Sequence, residues 1–136
     1  MLAKVESYGL AALNGYPVTV ETDISAGMPN YDTVGLPDAA VKESRERVHA
    51  AIRHSGFPFP DSRITVNLAP ADLKKEGSVY DLPIALSILE ANGTLKPSPR
   101  GMIVLGELAL DGAVRPISGI LPMLIDAFDK GYTVFY

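Results

Sequence analysis

Apolar and polar positions alternate along Val18-Thr19-Val20-Glu21-Thr22-Asp23-Ile24, and most of these side chains are β-branched. That period of two predicts a strand with one buried face. Residues 2–13 mix apolar and small side chains and read as a preceding strand, with Asn14-Gly15-Tyr16-Pro17 as the hairpin turn, since Asn-Gly is a strong turn signal. Residues 25–30 read as a loop and Tyr31 to Leu36 as a short strand. The period then changes. From Asp38 to Ser55, Val41, Val48, Ile52 and Ser55 fall on one helical face, while Lys42, Glu43, Arg45, Glu46 and Arg53 fall mainly elsewhere. Asp38 is placed to cap this helix, Glu43 and Arg47 stand at i,i+4, and Gly56, Pro58 and Pro60 end it.

Arg63 to Leu68 alternates again and predicts a strand, followed by a charged loop over 69–80. A second helix is expected over 81–91, capped by Asp81 and with Pro83 in its first turn, where no N–H is needed. Ile84, Ala85, Leu86, Ile88 and Leu89 surround its axis, so the helix should be buried on all sides. Asn92-Gly93 ends it, and 94–100 is a loop. Met102 to Leu110 and Ala113 to Ile117 flank Asp111-Gly112 as a hairpin. A third helix is expected over Ser118 to Lys130, with Ile120, Leu124 and Phe128 inward and Gly131 at its end, and Tyr132 to Tyr136 begins a strand. Strands interleaved with three helices give an α+β fold, an α/β sandwich. Because the sequence stops inside a strand, the expectation is the N-terminal part of a longer protein.

Composition narrows the function classes. The 136 residues suit one domain, and 47% apolar residues supply a core. A net charge of −4 lacks the basic surplus of a free-standing nucleic-acid binder, while leaving room for a local basic patch. The absence of cysteine removes disulfides, thiolate nucleophiles and cysteine zinc sites. Lys4, Glu6, Asn14 and Pro17 interrupt the first 20 residues, and no stretch approaches the ~18 apolar residues of a membrane span. A soluble, cytoplasmic domain with no membrane contact is the expectation.

Candidate chemistry is sparse. No G-x-x-x-x-G-K-[ST] string occurs; Gly101 and Gly106 have the glycine spacing, but Glu107 stands where the lysine belongs. His49 and His54 miss the i,i+4 spacing that would aim both at one metal, and read as surface residues. Asp72, Glu76 and Asp81 cluster with Lys74 and Lys75 around the 69–80 loop, where a solvated loop with a helix cap is the simpler reading. Ser78 is the one serine placed like a nucleophile; Lys74, Lys75, Arg115 or Lys130 would have to activate it, and a turn role is the simpler reading. Arg45, Arg47, Arg53 and Arg63 with Lys42 outline a basic face interrupted by Glu43 and Glu46.

Longer strings carry a resemblance. Gly35-Leu36-Pro37, Val41 to Val48 (VKESRERV), Arg63 to Gly77 (RITVNLAPADLKKEG), Tyr80 to Leu86 (YDLPIAL) and Gly106 to Ile117 (GELALDGAVRPI) together resemble the N-terminal domain of the magnesium-chelatase-like AAA+ ATPases of the ComM, YifB and ChlI type. The match runs along essentially the whole chain. It implies a fold like the second domain of ribosomal protein S5, shared with the Lon protease domain and the C-terminal domain of the recombination protein RadA. It also implies an ATPase module beyond residue 136, with ATP and Mg bound there rather than here. The implied partners are that module and the neighbouring subunits of a hexameric ring, with DNA reached through the full-length protein in branch migration and natural transformation.

Against the Lon pattern, laying Glu76-Gly77 on its Asp-Gly puts Val79 at the nucleophile's place. Pro116-Ile117-Ser118-Gly119 takes the turn before the lysine, and Met123 falls at the lysine's place. Neither side chain can attack a carbonyl or accept its proton. The expectation is a non-catalytic accessory domain, with no catalytic, cofactor-binding or metal residues. Two alternatives stand beside it: a divergent Lon-like serine hydrolase using Ser78, and a DNA-binding module of a recombination protein.

Overall fold

In a computed structural model the chain is described over residues 1–99 and 101–135; Arg100 and Tyr136, the last residues of the expected 94–100 loop and of the expected final strand, lie outside the described residues. Strands β1 (Leu2–Ala11), β2 (Asn14–Ser25), β3 (Asn30–Val34) and β4 (Arg63–Ala69), with β5 (Met102–Val104) and β8 (Thr133–Phe135), form a six-stranded sheet in the order β3-β4-β2-β1-β5-β8. The β1–β2 and β2–β4 pairs are antiparallel, and the β3–β4, β1–β5 and β5–β8 pairs are parallel. A separate hairpin pairs β6 (Glu107–Leu108) with β7 (Val114–Arg115). Helices α1 (Ala39–Lys42), α2 (Ser44–His54), α3 (Asp81–Ala91) and α4 (Ile120–Asp129) complete the α+β arrangement.

Register explains the layering. Val5 lies opposite Val20, and Val20 opposite Leu68, so Val18, Val20, Ile64, Val66 and Leu68 share one buried face. Val48, Ile52, Ile84, Ile88 and Met123 of the helices join that face in a single core. Thr22 and Ser87, both buried, share a hydrogen bond at 2.6 Å that ties α3 to the sheet without leaving either hydroxyl unpaired. The other face is polar. Asn67 Nδ2 donates to Glu21 at 2.8 Å, Thr19 Oγ1 donates to Glu6 at 3.2 Å, and Lys4 lies 3.6 Å from Glu21.

Several expectations need correction. The hairpin turn is Ala12-Leu13, not Asn14-Gly15: Ala11 pairs with Asn14, and Ala12 takes φ 57°. Gly15 serves packing, because a Cβ there would sit 2.8 Å from Met123 Cα of α4. The single helix expected from Asp38 to Ser55 is two, interrupted at Glu43, where Glu46 N bonds Glu43 O at 3.1 Å in a three-residue turn. Ser55 is exposed, and Ser44 and Ala51 are buried instead. The expected strand from Met102 to Leu110 divides at Gly106 (φ 158°), β5 entering the main sheet and β6 the hairpin. In α4 Met123 and Ala127 are buried and Ile120 packs against the core as expected, while Phe128 is 67% exposed.

Candidate functional site

The loop between β4 and α3 is fastened at its middle. Lys75 N donates to Leu36 O and Asp38 N donates to Lys75 O, each at 2.9 Å, a short parallel bridge to the segment before α1. The Lys75 side chain is fully buried, and its ammonium donates to the carbonyls of Gly35 (2.8 Å) and Pro70. Desolvation pulls its pKa below the ordinary lysine value, with Asp72 opposing. Gly35 is required here: it takes φ 100°, and a Cβ would collide with the Leu68 carbonyl. The loop is therefore not simply solvated, since one of its lysines is a buried strut. Asp72, Lys74 and Glu76 are exposed, as expected.

Asp38 caps α1 as expected, its Oδ1 accepting from Val41 N at 2.7 Å. Asp81 does not cap α3; the cap position is Tyr80, and Asp81 is the first helical residue. Its buried carboxylate accepts from Ser44 Oγ (2.5 Å), Arg47 Nε (2.6 Å), Arg47 Nη2 (3.1 Å) and Leu108 N (3.1 Å). One carboxylate thus joins α2, α3 and β6, and the hydrogen bond to it raises the Arg47 pKa further. Arg47 also lies 3.6 Å from Glu43, the i,i+4 pair seen in the sequence.

Ser78 forms the turn into α3, its carbonyl accepting from Asp81 N at 3.2 Å. Its hydroxyl donates to Glu107 Oε1 at 2.5 Å, and Glu107 Oε2 lies 3.6 Å from Arg115 Nη1. Of the cations considered as activators, Lys75 is committed to the carbonyls of Gly35 and Pro70, Lys130 pairs with Asp126 at 2.5 Å, and Arg115 meets Glu107 rather than Ser78. Ser78, Val79, Glu107, Ile117, Ser118 and Met123 line one open cleft of about 680 Å³. The two positions that the Lon pattern would fill with serine and lysine therefore line the same cleft, as valine and methionine. Glu107 was missed as the partner of Ser78 because the two lie 29 residues apart and are brought together by tertiary backbone bonds, Gly106 N to Val79 O at 3.1 Å and Leu82 N to Gly106 O at 3.0 Å.

The remaining candidates lie elsewhere. His49 stacks on Phe59 with ring centroids 4.3 Å apart, and His54 Nδ1 lies 2.8 Å from the Leu110 carbonyl, so each ring has its own neighbour. Among the described residues, no group of three His, Asp or Glu side chains is placed to hold a metal ion. Gly101 and Gly106 flank β5 and make no phosphate-binding loop before a helix. On the basic face, Arg47 turns inward to Asp81, whereas Lys42, Arg45, Arg53 and Arg63 are exposed. Among the described residues, no helix is long and apolar enough to cross a membrane.

The geometry defines a mixed α/β domain with a cleft beside the turn into its buried helix, where a serine is held by a carboxylate. Residues 20–135 match the family described as "Subunit ChlI of Mg-chelatase", and the chain belongs to that magnesium-chelatase-like family. Among its relatives are the uncharacterized protein YifB of Salmonella typhimurium, 45% identical over 134 residues, and the uncharacterized protein Rv2897c of Mycobacterium tuberculosis, 44% identical over 133 residues. These alignments cover 98% and 96% of the chain and 26% of each relative. Competence protein ComM of Haemophilus influenzae is 43% identical over 127 residues, covering 93% of the chain and 25% of that protein. The chain thus spans about a quarter of the length of the curated relatives it matches.

Proposed function

We propose that this domain is a non-catalytic interaction domain of a magnesium-chelatase-like AAA+ ATPase, folded like the second domain of ribosomal protein S5 and working in the cytoplasm. Its partners are the ATPase module of the same protein, where ATP and Mg bind, and neighbouring subunits of a hexameric ring. The parent protein acts on DNA, a reading supported by the relative being a competence protein.

The observation that carries the non-catalytic reading is the state of Ser78. Its hydroxyl is engaged by the Glu107 carboxylate, and the cleft presents Met123 at the position where the Lon pattern has its lysine. A carboxylate is a far weaker base than a lysine amine, and this one also faces the Arg115 guanidinium. Purified protein and its Ser78→Ala variant, assayed on casein and on ATP, are expected to show the same background turnover. Hydrolysis abolished by Ser78→Ala would establish the divergent serine hydrolase instead.

A further inference from the structure

Helix α4 carries two apolar faces. Ile120, Met123 and Ala127 pack inward, while Leu121, Ile125 and Phe128, at i, i+4 and i+7, form a second stripe that is exposed. Leu121 and Ile125 line a groove of about 370 Å³ together with Leu13, which stands at the tip of the β1–β2 hairpin and is 86% exposed. Exposed apolar side chains scattered singly are ordinary, but several large ones gathered on one helix face and the adjoining turn mark a contact surface.

Strand direction indicates what reaches this surface. β1 runs toward the hairpin tip, and β5 and β8 run parallel to it, with Ile103 level with Glu6 and Val134 level with Ile103. β8 therefore points toward the end of the domain that carries Leu13. The first half of α4 lies at the same end: a Cβ on Gly15 would meet Met123 Cα, and one on Gly119 would meet Leu10 Cδ1. From Val134, about five extended residues reach the level of Ala11, and two strand spacings, roughly 10 Å, separate β8 from β1. The charged lining of the groove is acidic, Asp126 and Asp129. Such a rim repels an anionic bilayer surface, and a two-fold contact between copies would lay each acidic groove on itself. A segment of the same polypeptide meets neither objection.

We propose that the outer face of α4, with Leu13, is covered by the polypeptide that follows residue 136 in the full-length protein. The covering segment is apolar with a basic flank opposite Asp129, and it fixes the ATPase module against this domain. The inference deepens the accessory-domain reading and rests on its placing that module after residue 136; the chain spans about a quarter of the length of its relatives.

The test is maleimide labelling of the full-length protein, read by peptide mass. Residues 1–136 hold no cysteine, so Leu13→Cys, Leu121→Cys and Ile125→Cys each report on the groove, and Met28→Cys, before β3 and 87% exposed, is the control. Each rate is divided by that of the same variant unfolded in urea. Met28→Cys should label nearly as fast folded as unfolded, and the three groove sites should label about tenfold slower or more, at every protein concentration. Adding Ile125→Asp to the Leu121→Cys protein should restore fast labelling and speed proteolytic cleavage after residue 136, and Asp129→Lys should do the same more weakly; circular dichroism checks that each variant is folded. The proposal is overturned by groove sites that label as fast as Met28→Cys, by protection that appears only as protein concentration rises, which would assign the face to another copy, or by protection that needs anionic vesicles. ATP turnover by the same protein reads the accessory-domain proposal separately. Turnover with fast-labelling groove sites sinks this inference alone, and protected sites without turnover sink the ATPase reading alone.

Discussion

At the scale of single residues, two buried charges govern local stability, and neither is recognisable by residue type. Asp81 is one of several carboxylates near the 69–80 loop, yet it alone accepts four hydrogen bonds at a junction of three elements. Asp81→Asn would leave the partly buried Arg47 guanidinium without its buried carboxylate partner, and should cost about 3 kcal/mol in urea unfolding. Lys75 is identical in type to its exposed neighbour Lys74 but donates to two carbonyls inside the protein. Lys75→Met would strand both acceptors and should destabilise by about 1 to 3 kcal/mol.

The pH dependence at Lys75 has a defined sign. Its folded pKa lies below the ordinary 10.5, so between those values the unfolded chain binds more protons than the folded one. Wild-type stability relative to Lys75→Met should therefore rise with pH across that window. Urea midpoints of the two proteins at neutral and alkaline pH measure it.

At the scale of elements, α3 and α4 show what a helical pattern can and cannot convey. The bounds of α3 and its burial on all sides were legible, because an apolar residue at nearly every position leaves no phase to choose. The α4 sequence is also rich in apolar residues, and the expected phase holds at Ile120 but not at Phe128, because the helix approaches the backbone at Gly15 through Met123. Leu121, Ile125 and Phe128 remain outside, each more than half exposed. Replacing these three with Gln or Lys should change stability by about 0.5 kcal/mol or less per site, whereas Met123→Ala should cost about 2 to 4 kcal/mol. Thermal or urea denaturation separates the two outcomes. The turn at Ala12-Leu13 was illegible for a related reason: Gly15 is demanded by a helix more than 100 residues later, not by the hairpin.

At the scale of the whole molecule, the sheet order places β1 and β2 at its centre, with β5 and β8 added beside β1. The start and end of the chain are also joined by a polar tie. Tyr8 of β1 donates to Asp126 of α4 at 2.7 Å, and Lys130 donates to the same oxygen. The hydrogen bonds from Lys130 and then Tyr8 hold the Asp126 pKa below its ordinary value. The stabilisation from this group is present above the unfolded pKa and is lost as pH falls through the folded one. Asp126→Asn should therefore unfold with a smaller loss of stability between pH 5 and pH 2 than the wild type, read as the shift in urea midpoint.

The sequence by itself determined the α+β class, the first four strands, the buried α3 helix, the Asp38 cap and the family, because these depend on local periodicity and on contiguous strings. It also supplied the two positions, Val79 and Met123, that matter for the cleft. Tertiary structure alone decided that these positions line one cleft, that Ser78 binds Glu107, that Lys75 is buried and that Arg47 turns inward to Asp81 while Arg45 and Arg53 border an aromatic-walled cleft. Each of those outcomes rests on contacts between segments far apart in the chain, and periodicity in one segment carries no record of which other segment will cover it.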